Sequence, residues 1–115
     1  MAILIHTANP VAFVVQIRNK INEGTIETWM TDSQGDFTHS PHQWRYCSWF
    51  RPYLLDEDGY NLVFVIIPSK KHLFTRTLYG LYHGRFTEML LTHFGAQITK
   101  FKITPSPEKK LDYSP

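Results

Sequence analysis

One cysteine, Cys47, stands among 115 residues, so a disulfide scaffold is excluded. A lone thiol in so small a chain suits a reducing cytosol. Long apolar runs are also missing. The longest, Leu62 to Ile67, is far too short to span a bilayer. The opening residues lack a basic segment, and their apolar stretch is broken by His6, Asn9 and Pro10, so no secretory signal is read. Surplus charge is scarce: 12 Lys and Arg face 10 Asp and Glu, a net of +2. That is modest for a nucleic-acid binder, so nucleic acid is a possible but not a favoured partner. No glycine-rich phosphate loop, no G-x-S-x-G and no H-E-x-x-H occurs. Repeats and low-complexity stretches are absent as well. A cytoplasmic location is expected, without membrane contact and without a cofactor.

What the chain does have is aromatic: 15% of its residues are Phe, Trp or Tyr, and 43% are hydrophobic. That excludes disorder for the body of the chain and allows one domain with a real core. The expected domain is 1–104, followed by a polar tail over 105–115 with three prolines. The charge is unevenly spread. Residues 1–65 carry four basic and seven acidic groups (−3), and residues 66–115 carry eight and three (+5).

Periodicity and turn residues give the elements. Ala2 to Thr7 reads as a strand. Asn9-Pro10 is a helix start, and Phe13, Val14, Ile17 and Ile21 follow at helical spacing to Gly24, a left-handed cap, so a helix is predicted over Pro10 to Glu23. Thr25 to Thr31 is β-rich, Asp32 to Asp36 is a turn, and Phe37 to His39 is a candidate short strand. Tyr46 to Leu54 reads as a strand, with Pro52 pushing it toward an edge or a bulge. Asp56 to Gly59 is the clearest hairpin turn, and Asn61 to Ile67 is a strand covered on both faces. A second helix is predicted over Leu73 to Phe94, capped by Gly95, with Leu78, Tyr79, Tyr82, Phe86, Met89, Leu90 and His93 on one apolar arc. Ala96 to Thr104 alternates as a half-exposed last strand. The expected fold is α+β, a two-layer sandwich in the order β-α-β-β-β-α-β, with two helices on one mainly antiparallel sheet.

Three segments, DSQGDFTHSPHQW (32–44), WFRP (49–52) and YHGRFTEMLLTHF (82–94), resemble a group of small uncharacterised bacterial single-domain proteins. The resemblance covers about residues 9–95. It implies a bacterial origin and carries no activity, ligand or partner.

The chemistry-bearing residues admit several readings. His39 and His42 have H-x-x-H spacing, with Asp36 as a third donor, so they are weak metal candidates without a cysteine pair. Asp32 to Asp36 fails the calcium-loop pattern, since Gln43 stands where a bidentate Glu is needed. Asp36, His39, His42, Arg51, Trp44 and Trp49 would line one cleft if their strands pair: histidine to move a proton, arginine to clamp an anion, tryptophan to stack on a ring. The plainer reading makes the tryptophans core and pairs Arg51 with a carboxylate on a neighbouring strand. On the second helix, His83 lies at the edge of the apolar arc, where pocket and solvent meet. Arg85 and Glu88 are i,i+3 neighbours, and His93 reads as a core histidine. Gly80 and Gly84, one turn apart, suggest a close backbone approach, within the chain or to a second copy in a homodimer. Cys47 reads as a buried, inert thiol.

Three functions follow from these candidates. The favoured one is a non-catalytic binding or interaction domain, with a homodimer through the Gly80/Gly84 face as its candidate assembly. The alternative is a metal-independent ribonuclease of toxin type, with catalytic candidates His39, His42, His83 and Arg51 and ligand-binding candidates Asp36, Trp44, Trp49 and Arg85. The third is an enzyme with a metal at His39 and His42.

Overall fold

A computed structural model describes residues 2–104. The expected tail, 105–115, lies outside them. The elements are β1 (Ala2–Thr7), α1 (Pro10–Asn22), β2 (Trp29–Thr31), β3 (Phe37–His39), β4 (Ser48–Glu57), β5 (Tyr60–Pro68), α2 (Arg76–Phe94), a 3₁₀ turn (Gly95–Gln97) and β6 (Ile98–Ile103). The fold is α+β. The strands form one antiparallel sheet in the order β2-β3-β4-β5-β1-β6, and the short Phe37–His39 segment supplies its sixth strand.

Local chemistry sets the boundaries. Asn9 accepts from the Ala12 amide at 3.1 Å and Pro10 opens α1. Gly24, at φ +86°, turns the chain out of the helix. The second helix begins at Arg76, three residues later than its apolar pattern: Thr75 caps it by accepting from the Leu78 amide, and Leu73 stays outside, 84% exposed. Its end differs too, since Gly95 has φ −54° and carries the chain on into the 3₁₀ turn. Asp58 and Gly59, both at positive φ, make the tight turn from β4 to β5. Pro52 lies past the only rung that β4 shares with β3, Phe37 opposite Phe50, so its missing N–H breaks no ladder on that side.

Alternation divides the core. Ile3, Ile5, Leu62, Phe64, Ile66, Phe50 and Phe37 share one cluster with the buried stripes of α1 and α2. Their neighbours Ala2, Leu4, Val63 and Val65 form a smaller cluster on the opposite sheet face, with Leu55 and Tyr60 against it. Both faces of β5 are therefore apolar, as its sequence requires.

Two expectations for α2 are corrected. His93 is exposed, and Phe94 instead closes the last turn, its ring 5.4 Å from Phe13. A wheel with a fixed angle per residue does not know where the sheet beneath the helix ends. Gly80 and Gly84 face open space: a Cβ at either would meet nothing within 4 Å. No close approach among the described residues explains them. Among the described residues, no helix is long and apolar enough to cross a membrane.

Candidate functional site

Ser40 carries the chain out of β3, its amide bonded to the Thr28 carbonyl at 2.8 Å and its hydroxyl to the Glu27 carbonyl at 2.6 Å. Residues 41–47 then fold into a compact turn. The amides of Trp44 and Arg45 both reach the Pro41 carbonyl, and Arg45 Nε donates to the Ser40 carbonyl at 3.0 Å. Tyr46 sits at φ +61°, a costly region for a tyrosine, and its amide donates to Thr38 Oγ1 at 3.0 Å. From below, the buried Tyr82 of α2 donates its hydroxyl to the Trp44 carbonyl and lies 3.1 Å from Thr38 Oγ1. Burial raises the pKa of that phenol and keeps it neutral. Helix α2 thus fixes the turn's position over β3.

Between the turn and α2 lies a cleft of about 270 Å³. Its walls include His39, Trp44, Leu81, Arg85 and Glu88, with Thr28, Pro41 and Gln43 completing it. Leu81, Arg85 and Glu88 are spaced i, i+4, i+7 and form one stripe of α2. Arg85 and Glu88 approach to 3.6 Å, but both side chains are more than half exposed, so this pair adds little stability and stays available to a ligand.

The least exposed polar group in the wall is His39, at 5% exposure. Its ring packs against Trp29, with centroids 4.7 Å apart. Nδ1 lies 2.7 Å from the Thr28 carbonyl, which can only accept, so Nδ1 carries the hydrogen. The opposite nitrogen, Nε2, then has a lone pair and no hydrogen-bond partner among the described residues. Burial lowers the His39 pKa below the ordinary 6.5; the Thr28 bond opposes it, Arg85 adds to the lowering and Glu88 opposes it. The group is therefore a neutral imidazole at neutral pH. The unfolded chain binds a proton on His39 at a higher pH than the folded chain does. This contribution to stability is present above pH 6.5 and is lost as pH falls through the lowered folded value. Melting temperatures followed from about pH 7.5 to about pH 5 should fall more steeply for the wild type than for His39→Gln. Parallel curves would show that burial of this ring carries no proton linkage.

The other candidates do not converge here. Arg51 and Asp36 pair with each other, Nη2 to Oδ2 at 2.7 Å, with Arg51 also reaching Gln34 Oε1 at 3.1 Å. The Asp36 bonds raise the guanidinium pKa further, so it is a permanent cation already matched by a carboxylate. The single cleft joining Asp36, Arg51, His39 and both tryptophans does not form. Arg51 opposes Val65 on the face of β4 away from the helices, whereas His39 leans toward Tyr82 of α2. Trp49 is half-buried beside Tyr46, ring centroids 6.4 Å apart. His83, expected at a pocket edge, is 1% exposed, its Nδ1 2.7 Å from the Tyr79 carbonyl and its ring against Phe50. Burial under the Phe50 and Tyr79 rings takes it out of reach of solvent. His42 is exposed on the turn and does not line the cleft. Among the described residues no group of three His, Cys, Asp or Glu is placed to hold a metal ion. Cys47 is buried, and burial raises its thiol pKa.

Of the sequence candidates the cleft therefore collects His39, Trp44 and Arg85. Glu88, read from the sequence only as the partner of Arg85, and Leu81 were missed as wall residues. Their shared helical stripe, just outside the apolar arc, was the available signal. No protein-family model matches the chain, and neither curated proteins nor solved structures show a match to it.

Proposed function

We propose that the chain is a small cytosolic binding domain whose site is the cleft between the 41–47 turn and α2. Its ligand is a planar, nucleotide-class small molecule. The carrying observation is His39, a buried, neutral ring whose Nε2 has no hydrogen-bond partner among the described residues, in a wall shared with Trp44 and Arg85. A neutral imidazole asks for a hydrogen-bond donor. The Trp44 indole offers a flat apolar surface, and the exposed Arg85 guanidinium asks for an anion. At about 270 Å³ the cleft lies just below the usual range of small-molecule pockets, so it takes only a small ligand and leaves part of it in solvent. Adenosine 5′-monophosphate is the probe, titrated into ¹⁵N-labelled protein. Shifts should centre on the His39 ring, the Trp44 indole and the Arg85 side chain. His39→Gln and Arg85→Gln should each weaken binding about tenfold or more. Shifts confined to other residues, or none at about 5 mM, would remove the site.

The RNA-cleaving reading keeps one supporting observation: Nε2 is in the form a general base needs, with the Arg85 cation on the same wall. In that chemistry Nε2 takes the proton of a ribose 2′-hydroxyl, the 2′-oxygen bonds to phosphorus, and the P–O5′ bond breaks. The departing oxygen takes a proton from water. Single-stranded RNA incubated with the same sample would yield 2′,3′-cyclic phosphate ends, lost in His39→Gln. Intact RNA alongside nucleotide binding leaves the binding domain alone standing. Neither reading uses His42, His83 or Arg51.

A further inference from the structure

Four of the large apolar side chains that stay in solvent gather in one place. Val11 (58% exposed), Val15 (47%), Tyr53 (47%) and Leu54 (66%) line a groove of about 220 Å³ between α1 and β4, with Pro10 and Pro52 at its walls. Scattered apolar residues are ordinary on a surface; a contiguous set along one groove marks an interface.

The groove has a charge polarity. At one end the α1 start is held beside β5, because the Asn61 side chain bonds both the amide and the carbonyl of Thr7. That end adjoins the β4–β5 hairpin, where Asp56, Glu57 and Asp58 are all exposed. At the other end is Arg18, whose guanidinium bonds the Gly35 carbonyl at 3.1 and 3.3 Å and has no carboxylate partner among the described residues. Pro10 and Arg18 are separated by about 12 Å of helix. The order along the groove is acidic tip, apolar middle, cation.

We propose that this groove takes a second copy of the chain in a two-fold homodimer. A two-fold interface must be self-complementary. Two grooves laid antiparallel meet this condition: apolar middle faces apolar middle, and each acidic hairpin tip approaches the other copy's Arg18. The net charge of +2 per chain opposes this association only weakly. The Gly80/Gly84 face expected from the sequence offers less, since it carries no comparable apolar set. A dimer through α1 and β4 also leaves the cleft at α2 open, so this inference stands or falls apart from the ligand reading.

Sedimentation velocity of the full chain over a range of concentrations tests it. The wild type should reach twice the 13.5 kDa protomer mass. Leu54→Gln and Val11→Gln, on different elements and both at exposed positions, should each weaken the dimer about tenfold or more with little change in melting temperature. Glu57→Lys should weaken it too, and that loss should shrink at high salt. A wild type monomeric up to about 1 mM overturns the proposal, including one whose groove captures some other protein. So does a dimer that ignores Leu54→Gln and Val11→Gln, or one broken by Gly80→Gln instead.

Discussion

Phe86→Ala should cost about 3–5 kcal/mol, a large part of the 5–15 kcal/mol that holds a typical domain folded. The ring is fully buried, and its neighbours come from four strands: Trp29 of β2 at 4.8 Å between centroids, Phe37 of β3 at 5.7 Å, Phe50 of β4 at 4.6 Å and Phe64 of β5 at 5.0 Å. One α2 side chain therefore joins the long β4–β5 hairpin to the short β2–β3 hairpin. The join matters because β3 shares a single rung with β4. Little backbone ladder holds the two hairpins together, and the aromatic contacts supply what the hydrogen bonds do not. Truncation leaves a cavity among rings that are themselves tied to strands and cannot collapse into it. Urea denaturation gives the reading, with His93→Ala, at an exposed position, as a control that stays within about 0.5 kcal/mol. A Phe86→Ala loss under about 2 kcal/mol would show that the strands close over the void.

The same hub explains which parts of the fold were legible in the sequence. Local rules carried the elements: Asn9-Pro10 opens a helix, Asp58-Gly59 closes a hairpin, and a run apolar at nearly every position makes β5. Each depends on residues a few positions apart. Long-range register was not legible. The sequence put Asp36, His39 and Arg51 in one hypothetical cleft because they lie within sixteen residues. Strand pairing places Arg51 against Asp36 on one side and His39 against Tyr82 on the other; alternation along Phe37–His39 already separates Asp36 from His39, but which face the helices cover is not a local signal. His83 and His93 were exchanged for a related reason. Periodicity gives an angle around α2 but not what lies over it, so the histidine at the margin of the arc became core and the one at its centre became surface.

The cleft shows how burial and accessibility combine in a site. Trp29 packs on the His39 ring and the Thr28 carbonyl takes its Nδ1 hydrogen, so the residue is held in place and neutral, with Nε2 left to accept. The opposite wall, with Arg85 and Glu88, is solvated and mobile on the time scale of side-chain rotation. The 41–47 turn belongs to the rigid wall, because Thr38 and Tyr82 satisfy its backbone from beneath and hold Tyr46 at positive φ. A ligand would thus meet one preformed half and one adaptable half.

Gly80→Ala and Gly84→Ala together should stabilise the chain by about 1–2 kcal/mol. Each glycine lies inside α2 with negative φ, and each added Cβ enters open space. The folded helix therefore gains nothing unfavourable, while the unfolded chain loses backbone freedom. In a domain of this size that is a rise in melting temperature of about 5–10 °C. The sign separates the two explanations of the pair. If a second α2 approached this face closely, alanine would hold the helices apart, and the melting temperature would fall by more at high protein concentration than at low. If the face is bare, the rise is the same at every concentration. Gly84 also stands one turn before Glu88 on the helix. A double variant that is more stable but binds adenosine 5′-monophosphate as before shows that the cleft does not need the glycines. One that is more stable and loses the nucleotide shows that the helix gives up stability to keep the rim beside Glu88 clear.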